Sequence, residues 1–184
     1  MKRYLRAYFP LLLIAGTVVG LDQLTKSIVR DQLPFQSIWV PWHWLAPYAR
    51  IVNWTNTGAA FGMLPGFSDI FTILAFIVAI AILYYYPQIP QGDWTLRLAM
   101  GLQMGGALGN LIDRLTIGHV TDFISIGNFP VFNVADASIS IGTAILVIGV
   151  WIRERDQGEP DEETDGESPE QPPSEPIREE IVGE

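Results

Sequence analysis

The chain contains no cysteine, which excludes disulfides, thiolate nucleophiles and Cys-ligated metals. It has two histidines, His43 and His119, too few for most zinc sites without carboxylate help. No Gly-x-Ser-x-Gly elbow accompanies His119 in a Ser-His-Asp arrangement. No phosphate loop or dinucleotide fingerprint is present. A Ser/Lys pair would depend on Lys26, one of only two lysines. Charge is also scarce where the chain is apolar. The net charge of −9 comes from an appended segment: residues 153–184 carry 13 acids against Arg153, Arg155 and Arg178. The 152 residues before it hold seven acids and eight bases, too few charges for a water-soluble surface. With no basic patch, nucleic-acid binding is excluded as a reading.

Four long apolar runs are present instead: Ala7–Leu21, Ile70–Tyr86, Trp94–Ile112 and Val134–Ile152. Each approaches the ~20 residues that cross a ~30 Å hydrocarbon core. The spacing predicts an α-helical membrane protein with four transmembrane helices. Lys2, Arg3 and Arg6 precede the first run as in a signal peptide. No small-x-small cleavage site precedes the polar Asp22–Thr25 break, so the run reads as a retained anchor. An even span count puts both termini on one side. The basic residues, six at that side against four at the other, make it the cytoplasmic side. Residues 33–66, broken by Pro34, Pro41, Pro47 and Pro65, would lie outside. Ser37–Val40 and Arg50–Trp54 favour strand there, either as a small extracytoplasmic sheet or as an irregular loop anchored by Trp39, Trp42, Trp44 and Trp54. Thr116–Asn133 reads as short strand and turn. Residues 153–184 form an acidic cytoplasmic tail, disordered from Gln157 onward because it holds almost no large apolar side chains. Gly101, Gly105 and Gly109, with Gly16 and Gly20, suggest close helix approach.

Ionisable groups at membrane depth need a reason. Asp22, Asp113, Arg114, Asp122 and Asp136 all collect near the outer face in this topology. Asp22-Gln-Leu-Thr-Lys26 closes the first span, with Asp22 and Lys26 placed for a helix-end salt bridge. Asn110 and Arg114 share a helix face, and Asp113 has Arg114 as its immediate partner. Asn133 and Asp136 fit an N-cap and its N3 partner, and Asp122 fits a turn carboxylate. Two carboxylates brought to one half-buried site would also suit an aspartic dyad, which shares one proton because like charges split their titrations. A proton relay in a small transporter would use the same carboxylates, but its polar residues should reach across the bilayer. A scaffold held by the glycine faces would leave the outer aspartates unexplained.

Five segments carry a family resemblance: Asp22-Gln-Leu-Thr-Lys26, Asn56-Thr-Gly-Ala-Ala-Phe-Gly62, Gly105-Gly-Ala-Leu-Gly-Asn-Leu-Ile-Asp-Arg114, Gly118-His-Val-Thr-Asp-Phe123 and Phe132-Asn-Val-Ala-Asp136. In these, and in their order, the chain resembles the lipoprotein signal peptidases (signal peptidase II), bacterial membrane aspartic proteases. The resemblance implies a peptidase domain over residues 1–152, with an outer β-cradle at 33–66. It implies Asp122 and Asp136 as the catalytic pair and supporting roles for Asp22, Asn56, Asn110, Arg114 and Asn133. The implied reaction is removal of a signal peptide from a diacylglyceryl-modified prolipoprotein at the outer face of the bacterial cytoplasmic membrane. It needs no metal or cofactor and no partner beyond substrate and membrane lipid, and a monomer is expected. Two departures stand out: Thr121 replaces a frequent apolar residue, and the acidic tail is one the family generally lacks.

Overall fold

The computed structural model describes residues 2–58 and 68–157. Most of the Asn56–Gly62 motif, and the acidic segment from residue 158 onward, lie outside the described residues. The chain runs α1 (Lys2–Gln32), β1 (Ile38–Trp39), β2 (Ala49–Asn56), α2 (Ser68–Tyr85), α3 (Trp94–Ile117), β3 (Val120–Ile126) and α4 (Val134–Gln157). Among the described residues, three helical stretches, Ala7–Gln32, Ser68–Gln88 and Val134–Ile152, are long and apolar enough to cross a membrane.

The third helix is not among them, and its position explains why. α3 packs against α1, α2 and α4, so much of its surface meets protein rather than lipid. It can therefore carry Arg97, Gln103, Asn110, Asp113 and Arg114. Arg97 is buried at its N-terminal end and donates to the carbonyls of Ile89 (2.7 Å), Pro90 (3.1 Å) and Ala7 (3.4 Å). The outer helices show the reverse pattern, with Leu12, Leu13, Ile73, Ile77, Val147 and Ile148 exposed on their outward faces.

Glycines let α3 approach its neighbours. A Cβ on Gly105 would stand 2.6 Å from the Val18 Cβ, and one on Gly101 would stand 2.8 Å from that of Ile14. One on Gly109 would meet the Asp22 carboxylate. The matching stripe on α1 is thus Ile14, Val18 and Asp22. Gly16 and Gly20 lie about 200° around the helix from that stripe, and a Cβ on either would meet nothing within 4 Å among the described residues. They take no part in the contact, contrary to the sequence expectation.

α1 also runs further than the apolar pattern suggested. The Asp22–Thr25 segment does not break the helix, which continues to Gln32. Burial against α3 and β3 supplies partners for the polar side chains, so the helix has no need to end there. Beyond it, β1, β2 and β3 form an antiparallel sheet in the order β1-β2-β3. The sheet draws strands from two connecting segments far apart in the chain: Ile38 pairs with Val52, and Trp54 with Asp122. A register shift between Ile51 and Trp54 sets Asn53 free to tie the sheet to α1, its side chain donating to Leu33 O at 2.8 Å. Trp39, Trp42, Trp44, Tyr48 and Trp54 are all exposed on this layer.

Candidate active site

The path from β3 to α4 brings Asp122 and Asp136 towards one another. After β3 the chain turns at Gly127, whose φ of 51° favours glycine. It returns so that Phe132 bridges Ile124, with paired bonds of 2.8 and 3.0 Å. That bridge sets Asn133 beside β3 and starts α4 one residue later. Asn133 and Asp136 form the expected reciprocal cap: Asp136 N donates to Asn133 Oδ1 at 2.9 Å, and Asn133 N donates to Asp136 Oδ2 at 3.3 Å.

The same asparagine holds the other carboxylate. Asn133 is fully buried, and its Nδ2 donates to Asp122 Oδ1 at 2.7 Å. Asn56 Nδ2 donates to Asp122 Oδ2 at 2.9 Å from β2. Asn110 Nδ2 donates to Asp136 Oδ1 at 2.7 Å from α3. Each carboxylate is therefore bound by neutral amides, and Asn133 touches both. Burial pushes the Asp122 carboxyl up from its ordinary 3.8 to about 7, and the charge of Asp136 adds to the shift. The amide bonds and the positive charge of Lys26 oppose it.

Behind the amides lies a second, ionic layer. Lys26 and Asp22 are both fully buried and 2.8 Å apart. The sequence placed this pair at a helix end, but it sits inside α1. Asp113 was expected to pair with Arg114. Its buried carboxylate instead lies 3.2 Å from Lys26 and 3.4 Å from Arg30, and accepts from Gln23 Nε2 and Thr121 N. Adjacent residues on a helix point about 100° apart, so Asp113 faces α1 while Arg114 faces away. Gln23, Arg30 and Thr121 were not foreseen as partners. Asp22, Lys26 and Arg30 recur every four residues, which is the signal that one face of α1 carries charge inward. Asp22 additionally accepts from Ala135 N at 2.9 Å, fixing the start of α4 against α1.

Lys26 links the two layers. Its Nζ donates to Asn110 Oδ1 at 2.9 Å, and Asn133 Nδ2 donates to the same oxygen at 3.1 Å. With Oδ1 committed to these donors, the Asn110 amide must present its N–H groups to Asp136.

A cavity of about 710 Å³ opens at this site between α2, α3 and α4. Asn56, Asn110, Arg114 and Asp136 line it beside apolar side chains such as Phe71, Leu74 and Phe132. The Arg114 guanidinium lies over the Phe71 ring, 5.6 Å from its centroid. The structure thus brings Asp122, Asp136, Asn56, Asn110 and Asn133 into one hydrogen-bonded group. It sets Arg114 on the cavity wall and Asp22 in the supporting layer.

Residues 14–152 match the family described as Signal peptidase (SPase) II. The lipoprotein signal peptidase of Moorella thermoacetica is 39% identical over 150 residues, covering 81% of this chain and 97% of its own. That of Desulfitobacterium hafniense is 47% identical over 142 residues, covering 76% and 91%. A solved bacterial membrane enzyme, determined by the in meso method at 2.3 Å resolution, superposes with a TM-score of 0.75 at 33% identity, over 82% of this chain and 93% of that one. Sequence match, fold and membrane-spanning helices agree, and the chain belongs to the signal peptidase II family of membrane peptidases.

Proposed function

We propose that this protein is an aspartic endopeptidase that removes signal peptides from lipid-modified bacterial prolipoproteins, cutting before the diacylglyceryl-cysteine, with Asp122 and Asp136 as its catalytic pair. The observation that carries the reading is the pairing of these carboxylates through Asn133, with Asp136 on the wall of a mostly apolar cavity. The names of the relatives supply the substrate class.

In the proposed reaction the pair holds one proton between them, and Asp122's titration near 7 supports a proton being present at neutral pH. The ionised carboxylate takes a proton from water as its oxygen attacks the scissile carbonyl. The protonated one donates to the carbonyl oxygen. Collapse of the tetrahedral intermediate passes a proton to the leaving amine of the lipid-modified cysteine, leaving one free carboxylate on the signal peptide. The amides of Asn56, Asn110 and Asn133 hold both carboxylates in place. Arg114, stacked over Phe71 and with no hydrogen bond among the described residues, stands on the cavity wall to bind the substrate's main chain. The enzyme sits in the cytoplasmic membrane as a monomer with both termini inside, the sheet and dyad at the outer face, and the acidic tail in the cytoplasm.

Asp122→Asn and Asp136→Asn test this. Each keeps the side-chain shape and the capacity to cap or turn. Each should lower cleavage of a lipid-modified prolipoprotein by at least roughly 10²–10⁴-fold, the range of general acid–base catalysis, with the protein still inserted and substrate still bound. Near-normal turnover by either variant would overturn the mechanism.

A further inference from the structure

The cavity wall carries polar side chains that the dyad does not use. Gln103 and Asn110 lie seven residues apart on α3, about 10 Å along the axis at ~1.5 Å per residue. On α4, Ser140 and Thr143 follow Asp136 by one and two turns. Gln103, Ser140 and Thr143 line the cavity away from the dyad and towards the middle of the helices, whereas Asn110 marks the dyad level. Gln103 Nε2 donates to Thr143 Oγ1 at 3.4 Å, and Thr143 donates to Ile139 O at 2.8 Å. One N–H of Gln103 therefore has no partner among the described residues. Ser138 returns its hydroxyl to Val134 O. Ser140, one turn along from Asp136, makes no hydrogen bond among the described residues and is exposed on the cavity side. Hydrogen-bond donors at membrane depth are costly unless something answers them.

Substrate conformation supplies an answer. A signal peptide crosses the bilayer as a helix, but the bond to be cut must be extended to admit water and the dyad. Where the helix ends, its last carbonyls lose their intrahelical donors. In hydrocarbon no water replaces them. An extended chain advances about 3.3 Å per residue, so the ~10 Å between the dyad level and Gln103 spans about three residues. We propose that Ser140 and Gln103 donate to main-chain carbonyls of the substrate's signal peptide where its helix gives way, Ser140 about two residues (~6 Å) and Gln103 about three residues before the scissile bond. This rests on the function proposed above. The two side chains are a binding subsite that favours substrates able to unwind at that point.

The test is a double-mutant cycle between enzyme and substrate. In synthetic lipid-modified prolipoprotein peptides, single amides two to four bonds before the cut are replaced by esters, whose carbonyls accept hydrogen bonds more weakly. For the wild-type enzyme, kcat/KM should fall about 5- to 12-fold at one of these positions, the size of one lost hydrogen bond. Gln103→Leu combined with Ser140→Ala should lower kcat/KM on the all-amide peptide by a similar factor, mainly through KM. The ester should then cost this variant less than about twofold. Ser140→Ala alone removes one exposed hydroxyl and provides the same cycle if the double variant does not fold. Equal ester penalties in wild type and variants would overturn the inference. So would coupling that appears only when the diacylglyceryl esters are replaced by ethers, which would assign the donors to the lipid. Failure of the wild type to cut the all-amide peptide would overturn the peptidase reading itself, and this subsite with it.

Discussion

Asp122→Asn should make the protein more stable at alkaline pH and less stable at acid pH. The folded protein holds the Asp122 carboxyl near 7, against an ordinary 3.8. For a folded pKa raised above the unfolded one, the stabilising contribution is fully present below about pH 4. It is lost progressively as pH rises through about 7. At ~1.4 kcal/mol per pKa unit, a difference of about three units amounts to roughly 4 kcal/mol between those limits. Asparagine does not titrate, so the variant escapes that loss. It has its own cost: both Asp122 oxygens accept from asparagine amides, 2.7 Å from Asn133 and 2.9 Å from Asn56. The new NH₂ group must face one of those donors, which sacrifices about one hydrogen bond, ~1 kcal/mol. The variant should therefore be about 1 kcal/mol less stable near pH 4 and roughly 2–3 kcal/mol more stable at pH 8, with the curves crossing between. Thermal unfolding in detergent from pH 4.5 to 8.5, on wild type and variant side by side, measures this. Parallel stability curves over that range would refute the argument, since they would mean that Asp122 titrates alike folded and unfolded.

Lys26→Met should destabilise by about 3–5 kcal/mol, because it strips the cation from buried Asp22 and Asp113; adding Asp22→Asn should restore much of the loss in the same unfolding assay. Gly105→Ala, whose Cβ would press on Val18, should cost about 1–3 kcal/mol, whereas Gly16→Ala, with open space, should be neutral or slightly stabilising. For orientation, cysteines placed at Ser37 and Ser174 of this Cys-free chain should label with an impermeant thiol reagent in intact cells at position 37 only. Labelling at position 174 alone would reverse the proposed topology.

The helices were legible because apolar runs of bilayer length report burial in lipid directly. The far end of α1 was not. Asp22, Lys26 and Arg30 look like a helix leaving the membrane, yet they lie on one face of a helix that continues, and only the fold shows that α3 and β3 meet that face. The Asn133–Asp136 cap could be read from spacing because its partners are three residues apart. Asp122 could not be joined to it, since their meeting depends on the Gly127 turn and the Phe132–Ile124 bridge, neither of which has a strong local pattern. The sheet shows the same limit. Its strand segments were visible as β-branched and aromatic runs, but pairing of β2 with β3 is a long-range choice. That choice sets Asn56 against Asp122.

The arrangement of charge around the site has a consistent logic. A cation in direct contact with either dyad carboxylate would pull its pKa down and remove the shared proton that the proposed chemistry requires. Two carboxylates with no positive charge nearby would instead repel each other in a half-buried site. Here Lys26 sits one amide away: it contacts Asn110, and Asn110 contacts Asp136. Its ion pairs are with Asp22 and Asp113, so its charge, like that of Arg114, reaches the dyad only at a distance. Because ammonium groups only donate, Lys26 also fixes which end of the Asn110 amide faces Asp136, and the shared Oδ1 orients Asn133 in turn. A single buried lysine thus aligns the donors on the dyad without neutralising it. Replacing Asn110 by aspartate should break this insulation. It would add a third carboxylate against Asp136 and draw Lys26 towards it, so Asn110→Asp should lose turnover even where Lys26, Asp22 and Asp113 remain in place, and a variant that kept wild-type turnover would contradict the logic.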